Sequence, residues 1–244
     1  MDTYLVTGAS SDLGIEFLRR LEGNGTPALV ICQYNKTATE LEELQSSCNH
    51  ISLRLYQCDL SSAAATAKWM EQLVADDIQV THILHLAAIA FEYTKLSKFD
   101  WEKTVRELTV QVNSLAQIFK IFLPKMAKSR RGKVVAMLSA YTLGIPPKFM
   151  SDYVIAKYAL WGLVKSAASE YSGKGISING ISPNMIETKF LKNIDSRIVE
   201  MTANQCAMHR NITKEEVVDS IMFLLSESSN YMTGINLNLT GGDR

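Results

Sequence analysis

The stretch TGASSDLG, residues 7–14, lies between a short apolar run at residues 4–6 and a segment with the apolar spacing of a helix. A strand, a glycine-bearing turn and a helix together form an anion site, because the first N–H groups of a helix are unpaired and its dipole is positive at that end. Gly8 permits a sharp turn, and Gly14 permits close contact between helix and strand. The spacing matches neither G-x-G-x-x-G nor a Walker loop, so a tight turn without a ligand is an alternative at this point.

The composition argues against several classes of function. The 244 residues include 25 Lys plus Arg and 25 Asp plus Glu, a balance that disfavours a nucleic-acid-binding protein. The four cysteines have neither close pairing nor metal-ligand spacing, which indicates a reducing compartment and no metal site. A predicted strand begins close to Met1 and leaves no room for a signal peptide, and no apolar run reaches the length of a membrane span. We therefore expect a cytoplasmic protein that binds neither nucleic acid nor membrane.

Short runs rich in Val, Ile and Leu alternate with helical patterns along the whole chain. Such runs are typical of strands buried on both faces, and the alternation predicts a parallel sheet covered by helices. The predicted strands are residues 4–7, 29–33, 52–57, 82–87, 133–138, 177–181 and 235–239. The predicted helices are residues 13–22, 38–47, 63–75, 101–127, 152–171 and 214–225. The fold class is therefore α/β: a Rossmann-type, doubly wound parallel sheet of seven strands with helices on both faces, whose ligands bind at the carboxyl ends of the strands.

A second feature is the segment SDYVIAKYAL, residues 151–160, in which Tyr153 and Lys157 share one face of a predicted helix. A lysine close to a phenol stabilises the phenolate and lowers the phenol pKa, which makes the phenol a usable proton donor or acceptor. Ser139 ends the apolar run GKVVAMLS, and Asn113 is a polar residue among apolar neighbours on the helix before that run. Each of these residues alone is more often structural, but together, in this order and on this fold, they indicate a catalytic group.

These features resemble the short-chain dehydrogenase/reductase family, in its single-domain branch, over essentially the whole chain. TGASSDLG is similar to the family's T-G-x-x-x-G-x-G loop, with Asp12 in place of the middle glycine. The family's catalytic tetrad is matched, in order, by Asn113, Ser139, Tyr153 and Lys157. The chain departs from the family pattern at HLAA, residues 85–88, where the family has N-N-A-G. The resemblance implies that residues 1–244 form a single NAD(P)-binding domain of Rossmann fold.

A nicotinamide cofactor bound across the carboxyl edge of the sheet is also implied by the resemblance. Its implied contacts are the glycine turn, the segments after later strands and the Tyr–Lys pair: Gly8, Ser10, Ser11, Asp12, Leu13, Gly14, Tyr34, Asn35, Lys36, Asp59, Leu60, Ala87, Ala88, Tyr153, Lys157, Pro183, Ile186 and Thr188. NAD-dependent proteins of this fold usually carry an acid after the second strand, whereas this chain has none there before Glu40 and offers Lys36 to a 2′-phosphate. We therefore predict NADP(H), with NAD(H) as the alternative.

The same resemblance implies the chemistry. The cofactor passes hydride to or from a substrate carbon, and Tyr153 is the general acid for carbonyl reduction and the general base for alcohol oxidation. Lys157 is expected to lower the Tyr153 pKa and to hold the nicotinamide ribose. Ser139 is expected to orient the carbonyl oxygen, and Asn113 to anchor a water that relays protons. The implied reaction converts a ketone or 3-oxoacyl carbonyl to a secondary alcohol, or the reverse; a catalytically silent dinucleotide-binding sensor or scaffold is the alternative.

Expectations about the substrate and partners follow from the resemblance to 3-oxoacyl-carrier-protein reductases. Arg130 and Lys174 match basic positions that dock the acidic carrier, so a small-molecule or carrier-bound acyl substrate is expected. The helices predicted at residues 101–127 and 152–171 are expected to pair in a homodimer or homotetramer. The expected substrate lip is mostly apolar: Tyr141, Pro146, Pro147, Phe149, Met150, Phe190, Leu191, Met201 and Met208. Asp12 is expected to cap its helix, and Asp12→Gly to keep or tighten cofactor binding.

Overall fold

The computed structural model describes residues 1–90, 92–191 and 194–242. Seven parallel strands are formed within them: β1 (Asp2–Thr7), β2 (Ala28–Tyr34), β3 (Ile51–Gln57), β4 (His82–His85), β5 (Gly132–Met137), β6 (Ile176–Pro183) and β7 (Asn236–Leu239). They make one sheet in the order β3-β2-β1-β4-β5-β6-β7. The chain runs outward in one direction from β1 and in the other from β4, which confirms the predicted doubly wound α/β fold and puts its switch point between these two strands.

Helices connect the strands and cover both faces of the sheet. They are α1 (Asp12–Gly23), α2 (Thr39–Ser47), α3 (Ala63–Ala75), α4 (Trp101–Leu108), α5 (Ser114–Ser129), α6 (Ser151–Tyr171), α7 (Ser196–Gln205) and α8 (Lys214–Leu225). A π turn at Thr109–Asn113 separates α4 from α5, so the single regular helix predicted at residues 101–127 is wrong. The sequence patterns did not indicate α7. Over the described part of the chain, no helix is both long and apolar enough to cross a lipid bilayer.

The sheet separates two apolar layers, because successive side chains of a strand point to opposite faces. Leu5 and Ile83 are fully buried in the layer that contains residues of α3, α5 and α6. Val6 and Leu84 are fully buried in the layer that contains residues of α1 and α8. Burial on both faces is why these strands appear in the sequence as continuous apolar runs, and why their carboxyl ends form a single edge between the two helical layers.

Local hydrogen bonds fix where α3 and α8 begin. Ser62 Oγ accepts a hydrogen bond from Ala65 N at 3.1 Å. Thr213 Oγ1 accepts one from Glu216 N at 3.2 Å, and the Glu216 carboxylate accepts one in return from Thr213 N at 3.0 Å. These caps satisfy N–H groups that the helix leaves unpaired, and both helices span the residues predicted for them.

Candidate active site

The turn after β1 lies so close to its neighbours that two of its positions require glycine. Gly8 has φ +66°, and a Cβ there would lie 3.1 Å from Ala87 N, in the segment after β4. A Cβ at Gly14 would lie 2.4 Å from Ala9 O, far inside a van der Waals contact. The turn is thereby fixed between β1, the segment after β4 and the start of α1, and the backbone at the start of the helix can approach a ligand closely.

Asp12, which replaces a family glycine in this turn, has a role that the sequence did not reveal. Ser11 rather than Asp12 caps α1, because Ser11 Oγ accepts the hydrogen bond from Gly14 N at 3.1 Å. The Asp12 carboxylate instead accepts a hydrogen bond from Lys189 N at 2.6 Å, and it lies 3.5 Å from Lys189 Nζ. Lys189 Nζ also donates to Glu40 Oε1 at 2.7 Å. The negative charge of Asp12 is therefore paired, and it joins the turn to the segment after β6.

A cavity of about 370 Å³ opens beside this turn, at the carboxyl ends of β1, β4, β5 and β6. It brings together more than half of the predicted site residues: Ser10, Ser11, Asp12, Leu13, Ala88, Ser139, Tyr153, Lys157, Pro183, Ile186 and Thr188. It is also lined by residues that were not among the predicted site residues: Leu86, Ala90, Met137, Leu138, Asn184, Met185 and Lys189. The cavity therefore lies where an open parallel sheet of this topology binds its ligand.

The predicted adenosine-side residues lie on the same edge of the sheet but outside the lining of this cavity. They end or follow β2 and β3: Tyr34, Asn35, Lys36, Asp59 and Leu60. Hydrogen bonds from the side chain and the backbone of Ser61 lower the pKa of the Asp59 carboxyl, and Ser61 N lies 2.9 Å from Asp59 Oδ1. Asp59 is thus an ionised acceptor at the edge of β3.

Gln33, near the end of β2, links the turn to the neighbouring strands. Its side chain is buried, and Oε1 accepts a hydrogen bond from Gly8 N at 2.8 Å. Its Nε2 donates to Cys58 O, in the segment after β3, at 2.7 Å. Both ends of the amide are therefore used by the protein itself, and the side chains available to a ribose begin at Tyr34.

Tyr153, Lys157 and Ser139 form the polar group of the cavity. Lys157 is buried, its Nζ donates to Met137 O at 2.7 Å, and its ammonium lies 5.6 Å from the centroid of the Tyr153 ring. Burial raises the pKa of the Tyr153 phenol, and a hydrogen bond with Ser139 lowers it by less. Burial also lowers the pKa of Lys157 to about 8. Burial therefore outweighs any lowering of the Tyr153 pKa by Lys157, and it keeps the proton on the phenol.

Asn113 is not brought to the cavity. It lies on the exposed side of its helix, where its Oδ1 accepts a hydrogen bond from Gln117 Nε2 at 2.6 Å. Gln111 is the buried amide of the π turn instead, and its main-chain oxygen is 2.9 Å from His85 Nε2. Residues two apart on a helix face different sides, so Gln111 points to the interior while Asn113 points outward. The assignment of Asn113 to the site is corrected accordingly.

One signal in the sequence pointed to Gln111. The inner face of α4, the π turn and the start of α5 carries polar residues at a spacing of three or four: Thr104, Glu107, Gln111 and Ser114. A helix that packs on the core normally presents apolar residues at these intervals. All four side chains are fully or almost fully buried, so the polar stripe is internal.

Comparison with known sequences agrees with this geometry. The family model described as "Enoyl-(Acyl carrier protein) reductase" matches residues 8–243 of the chain. The chain belongs to the short-chain dehydrogenase/reductase family. It is an NAD(P)-dependent oxidoreductase that acts on CH–OH or C=O groups. The matched range contains Gly8 and Gly14 of the turn and Ser139, Tyr153 and Lys157 of the cavity.

Several relatives of this short-chain dehydrogenase/reductase match it along almost its whole length. A 3-oxoacyl-[acyl-carrier-protein] reductase of Buchnera aphidicola subsp. Schizaphis graminum is 25% identical, over 98% of this chain and 96% of the relative. An acetoacetyl-CoA reductase of Allochromatium vinosum is 24% identical, over 98% and 96%. The crystal structure of a 3-oxoacyl-[acyl-carrier protein] reductase from Brucella melitensis superposes with a TM-score of 0.88 at 21% identity, over 99% of this chain and 91% of that one. The structural likeness supports the fold.

The predicted substrate lip of this short-chain dehydrogenase/reductase is only partly at the cavity. Tyr141, Phe190 and Leu191 line it. A separate shallow pocket, which also contains Thr94 and Leu96, is lined by Pro146, Pro147, Phe149 and Met150. Met208 lines a third pocket, beside Cys206, and Met201 lies on the exposed side of α7. The cavity is therefore bounded by Tyr141 and the segment after β6, and it includes fewer residues of the predicted lip than expected.

Proposed function

We propose that this protein reduces a ketone or 3-oxoacyl carbonyl to a secondary alcohol, or catalyses the reverse, with NADP(H) as cofactor. The observation that carries the proposal is the convergence of Ser139, Tyr153 and Lys157 on one cavity beside the glycine turn. The relatives named as 3-oxoacyl and acetoacetyl thioester reductases support this substrate class. The mostly apolar lining of the cavity suits an acyl chain.

The residues at the cavity fit a dinucleotide. The glycine turn has no space for a Cβ at Gly8 or Gly14, and the start of α1 presents Ser11 to the cavity, so the turn and the helix N-terminus would hold the diphosphate. Asp59 and Leu60 would lie along the adenine, Ala87 and Ala88 beside the ribose, and the segment after β6 along the nicotinamide: Pro183, Ile186 and Thr188. The cofactor, when bound, supplies the hydride chemistry of the reaction.

The proton chemistry belongs to the chain itself. In the reducing direction Tyr153 Oη–H would donate to the carbonyl oxygen, and in the oxidising direction the phenolate would take the alcohol proton. Because burial raises the Tyr153 pKa, the phenol holds its proton at neutral pH, as a general acid must. Ser139 would orient the substrate oxygen toward the phenol, while Met137 O fixes the Lys157 ammonium.

The test is NADPH oxidation with a panel of ketones and 3-oxoacyl thioesters. Tyr153→Phe is expected to abolish turnover and to leave NADPH affinity nearly unchanged, because the phenol proton is lost while the ring stays. Tyr158→Phe is the matched control, since this tyrosine lies exposed on the same helix. Full activity in Tyr153→Phe would refute the proposal. NADPH binding without turnover on any substrate is the result that a silent sensor predicts instead.

The preference for NADP(H) rests on the residues after β2. Gln33 is committed to the scaffold, and Lys36 is the cation that follows it, close enough to Asp59 to help lower the pKa of that carboxyl. A 2′-phosphate would pair with Lys36. We expect kcat/KM to be higher with NADPH than with NADH. Lys36→Ala should reduce this preference for NADPH, because it should raise KM for NADPH alone. A clear preference of the wild-type protein for NADH would contradict this reasoning.

Further predictions about partners remain part of the proposal. Arg130 and Lys174 lie at the amino edge of the sheet, opposite the cavity, where Arg130 donates to Gly173 O at 3.2 Å and the Lys174 ammonium lies 4.6 Å from the Tyr171 ring centroid. A carrier docked there would face away from this chain's own cavity. The apolar face of α6 expected to pair two copies is mostly buried in this chain's own core, at Ala156, Leu160, Val164, Ala167 and Ala168. We propose a cytoplasmic homodimer or homotetramer of one-domain subunits.

A further inference from the structure

A buried carboxyl group lies under the catalytic helix and has no part in the chemistry described so far. On the polar stripe of α4 and the π turn, Thr104 Oγ1 donates to Asp100 O at 3.0 Å, so this hydroxyl is satisfied within its own helix. The two longest polar side chains of the stripe form a hydrogen bond with each other: Gln111 Nε2 donates to Glu107 Oε2 at 2.8 Å. Glu107 is 1% exposed. A carboxyl so deeply buried is costly unless a partner compensates its charge.

Glu107 faces the helix that carries the catalytic group. Helix α4 packs against α6, and the charges of Glu107 and Lys157 act on each other, although their charged atoms are more than 4.0 Å apart. Burial raises the pKa of Glu107 overall, and the hydrogen bond from Gln111 and the charge of the Lys157 ammonium offset only part of this rise. Gln111 Oε1 has no hydrogen-bond partner among the described residues, so this pair of side chains leaves a buried acceptor beside the carboxylate.

The remaining charged groups around Glu107 are already compensated. Lys103, on α4, lies 3.0 Å from Asp152, on α6, and Asp152 also accepts a hydrogen bond from Tyr153 N at 3.0 Å. On β4, burial lowers the pKa of His85 to about 3, so this ring is neutral. Lys157 is therefore the cation near Glu107 that is not already in an ion pair, over the residues that the structure describes.

We propose that Glu107 is a positioning residue of this active site: the buried counter-charge, held by Gln111, that keeps the Lys157 ammonium protonated beside Tyr153. The inference rests on the proposed reaction, in which Tyr153 loses its proton and the phenolate needs a cation nearby. Burial alone drives the buried ammonium toward its neutral form, and the negative charge of Glu107 opposes that change. Polar residues are therefore found on this buried face of α4 and the π turn because Glu107 and Gln111 act on Lys157 of α6.

The direct test is an NMR titration of the Lys157 side chain in protein labelled with ¹³C-lysine, with the resonance assigned by its loss in Lys157→Arg. The wild-type midpoint is expected near 8. Glu107→Gln should lower it by about one unit, the smallest shift expected on removal of a nearby opposite charge. Glu107→Asp should restore part of the difference. Glu102→Gln, which neutralises an exposed carboxylate on the same helix, is the matched control and should leave the midpoint unchanged.

An unchanged Lys157 midpoint in Glu107→Gln would overturn the proposal. Should that variant not fold, Gln111→Met removes the amide that donates to Glu107, and it is expected to move the midpoint in the same direction by less. In turnover, the alkaline limb of the kcat profile should move to lower pH in Glu107→Gln, with KM for NADPH little changed. The titration needs no substrate, so it measures the effect of Glu107 on Lys157 independently of turnover. Absence of turnover on every substrate would refute the proposed reaction alone.

Discussion

Replacing His85 by glutamine is expected to make the stability of the protein less sensitive to acid. His85 is fully buried at the end of β4, with Nδ1 at 2.7 Å from Thr7 Oγ1 and Nε2 at 2.9 Å from Gln111 O. Burial lowers the pKa of this imidazole from 6.5 to about 3. The ring therefore stays neutral in the folded state at a pH where the unfolded chain has already bound a proton.

The magnitude follows from proton linkage. Between pH 6.5 and about 3 the unfolded state carries one more proton at His85 than the folded state does, so the free energy of unfolding falls as the pH falls. The slope approaches about 1.4 kcal/mol per pH unit, which amounts to roughly 2 kcal/mol between pH 7.5 and pH 5. Burial lowers the pKa of His82 to about 4, so a similar loss at His82 remains in the variant.

The assay is urea unfolding of wild type and His85→Gln, followed by tryptophan fluorescence at pH 7.5 and at pH 5. Glutamine keeps a donor and an acceptor at position 85, but it does not titrate. The wild-type protein should lose roughly 2 kcal/mol more than the variant over this interval, whatever their absolute stabilities. His209→Gln removes an exposed imidazole and is expected to keep the wild-type loss. Equal losses in the wild type and His85→Gln would refute the reasoning.

Two predictions concern the glycine turn. Gly14→Ala would place a Cβ 2.4 Å from Ala9 O, so we expect a loss of stability of about 1–3 kcal/mol and, by calorimetry, weaker NADPH binding. Gly162→Ala, which has open space around its Cβ, should cost no stability. Equal behaviour of the two variants would contradict the packing argument. Asp12→Asn should tighten NADPH binding, because it removes a charge but keeps an acceptor for Lys189 N. Asp12→Gly should bind NADPH about fivefold less tightly than Asp12→Asn, because it also loses the hydrogen bond from Lys189 N. Equal affinities would show that the link to Lys189 is irrelevant.

The sequence predicted the parts of the fold that short-range chemistry determines. The strands were recognisable because burial on both faces demands consecutive apolar residues, as at Leu5 and Val6. The limits of α3 and α8 were recognisable because their caps, at Ser62 and Thr213, lie within three residues of the N–H groups that they satisfy. Tyr153 and Lys157 were recognisable because a spacing of four residues places both on one face of a helix.

The π turn was not predictable from the sequence, because no residue within it is specific to a π conformation. The assignment of Asn113 failed for a different reason: the residue was selected for its type of side chain and not for its position on the helix. Thr104, Glu107, Gln111 and Ser114 are buried at a spacing of three or four, which places Gln111 on the inner face and Asn113 outside it. The spacing of the polar residues could therefore have identified the buried amide.

Long-range charge pairing was equally inaccessible from the sequence. Asp12 and Lys189 are 177 residues apart, and only the folded sheet brings the end of β1 near the segment after β6. From its neighbours in sequence alone, Asp12 is predicted to be a helix cap, whereas Ser11, one residue earlier, provides the cap. Pairing of this kind is set by topology, and charge at a single position does not reveal its partner.

The hydrogen bonds of Gln33 have a consequence for redesigning the cofactor preference. The usual way to favour NAD(H) is an acid after the second strand, and Gln33, one residue before the end of β2, is one place to introduce it. Here an aspartate or glutamate at position 33 would still accept from Gly8 N but would leave Cys58 O without its donor, and it would bury a charge. Such a change would loosen the diphosphate turn before it altered ribose recognition. Engineering of the coenzyme preference should therefore begin at positions 34–36, where a new side chain would change the surroundings of the ligand without disturbing the contacts between strands.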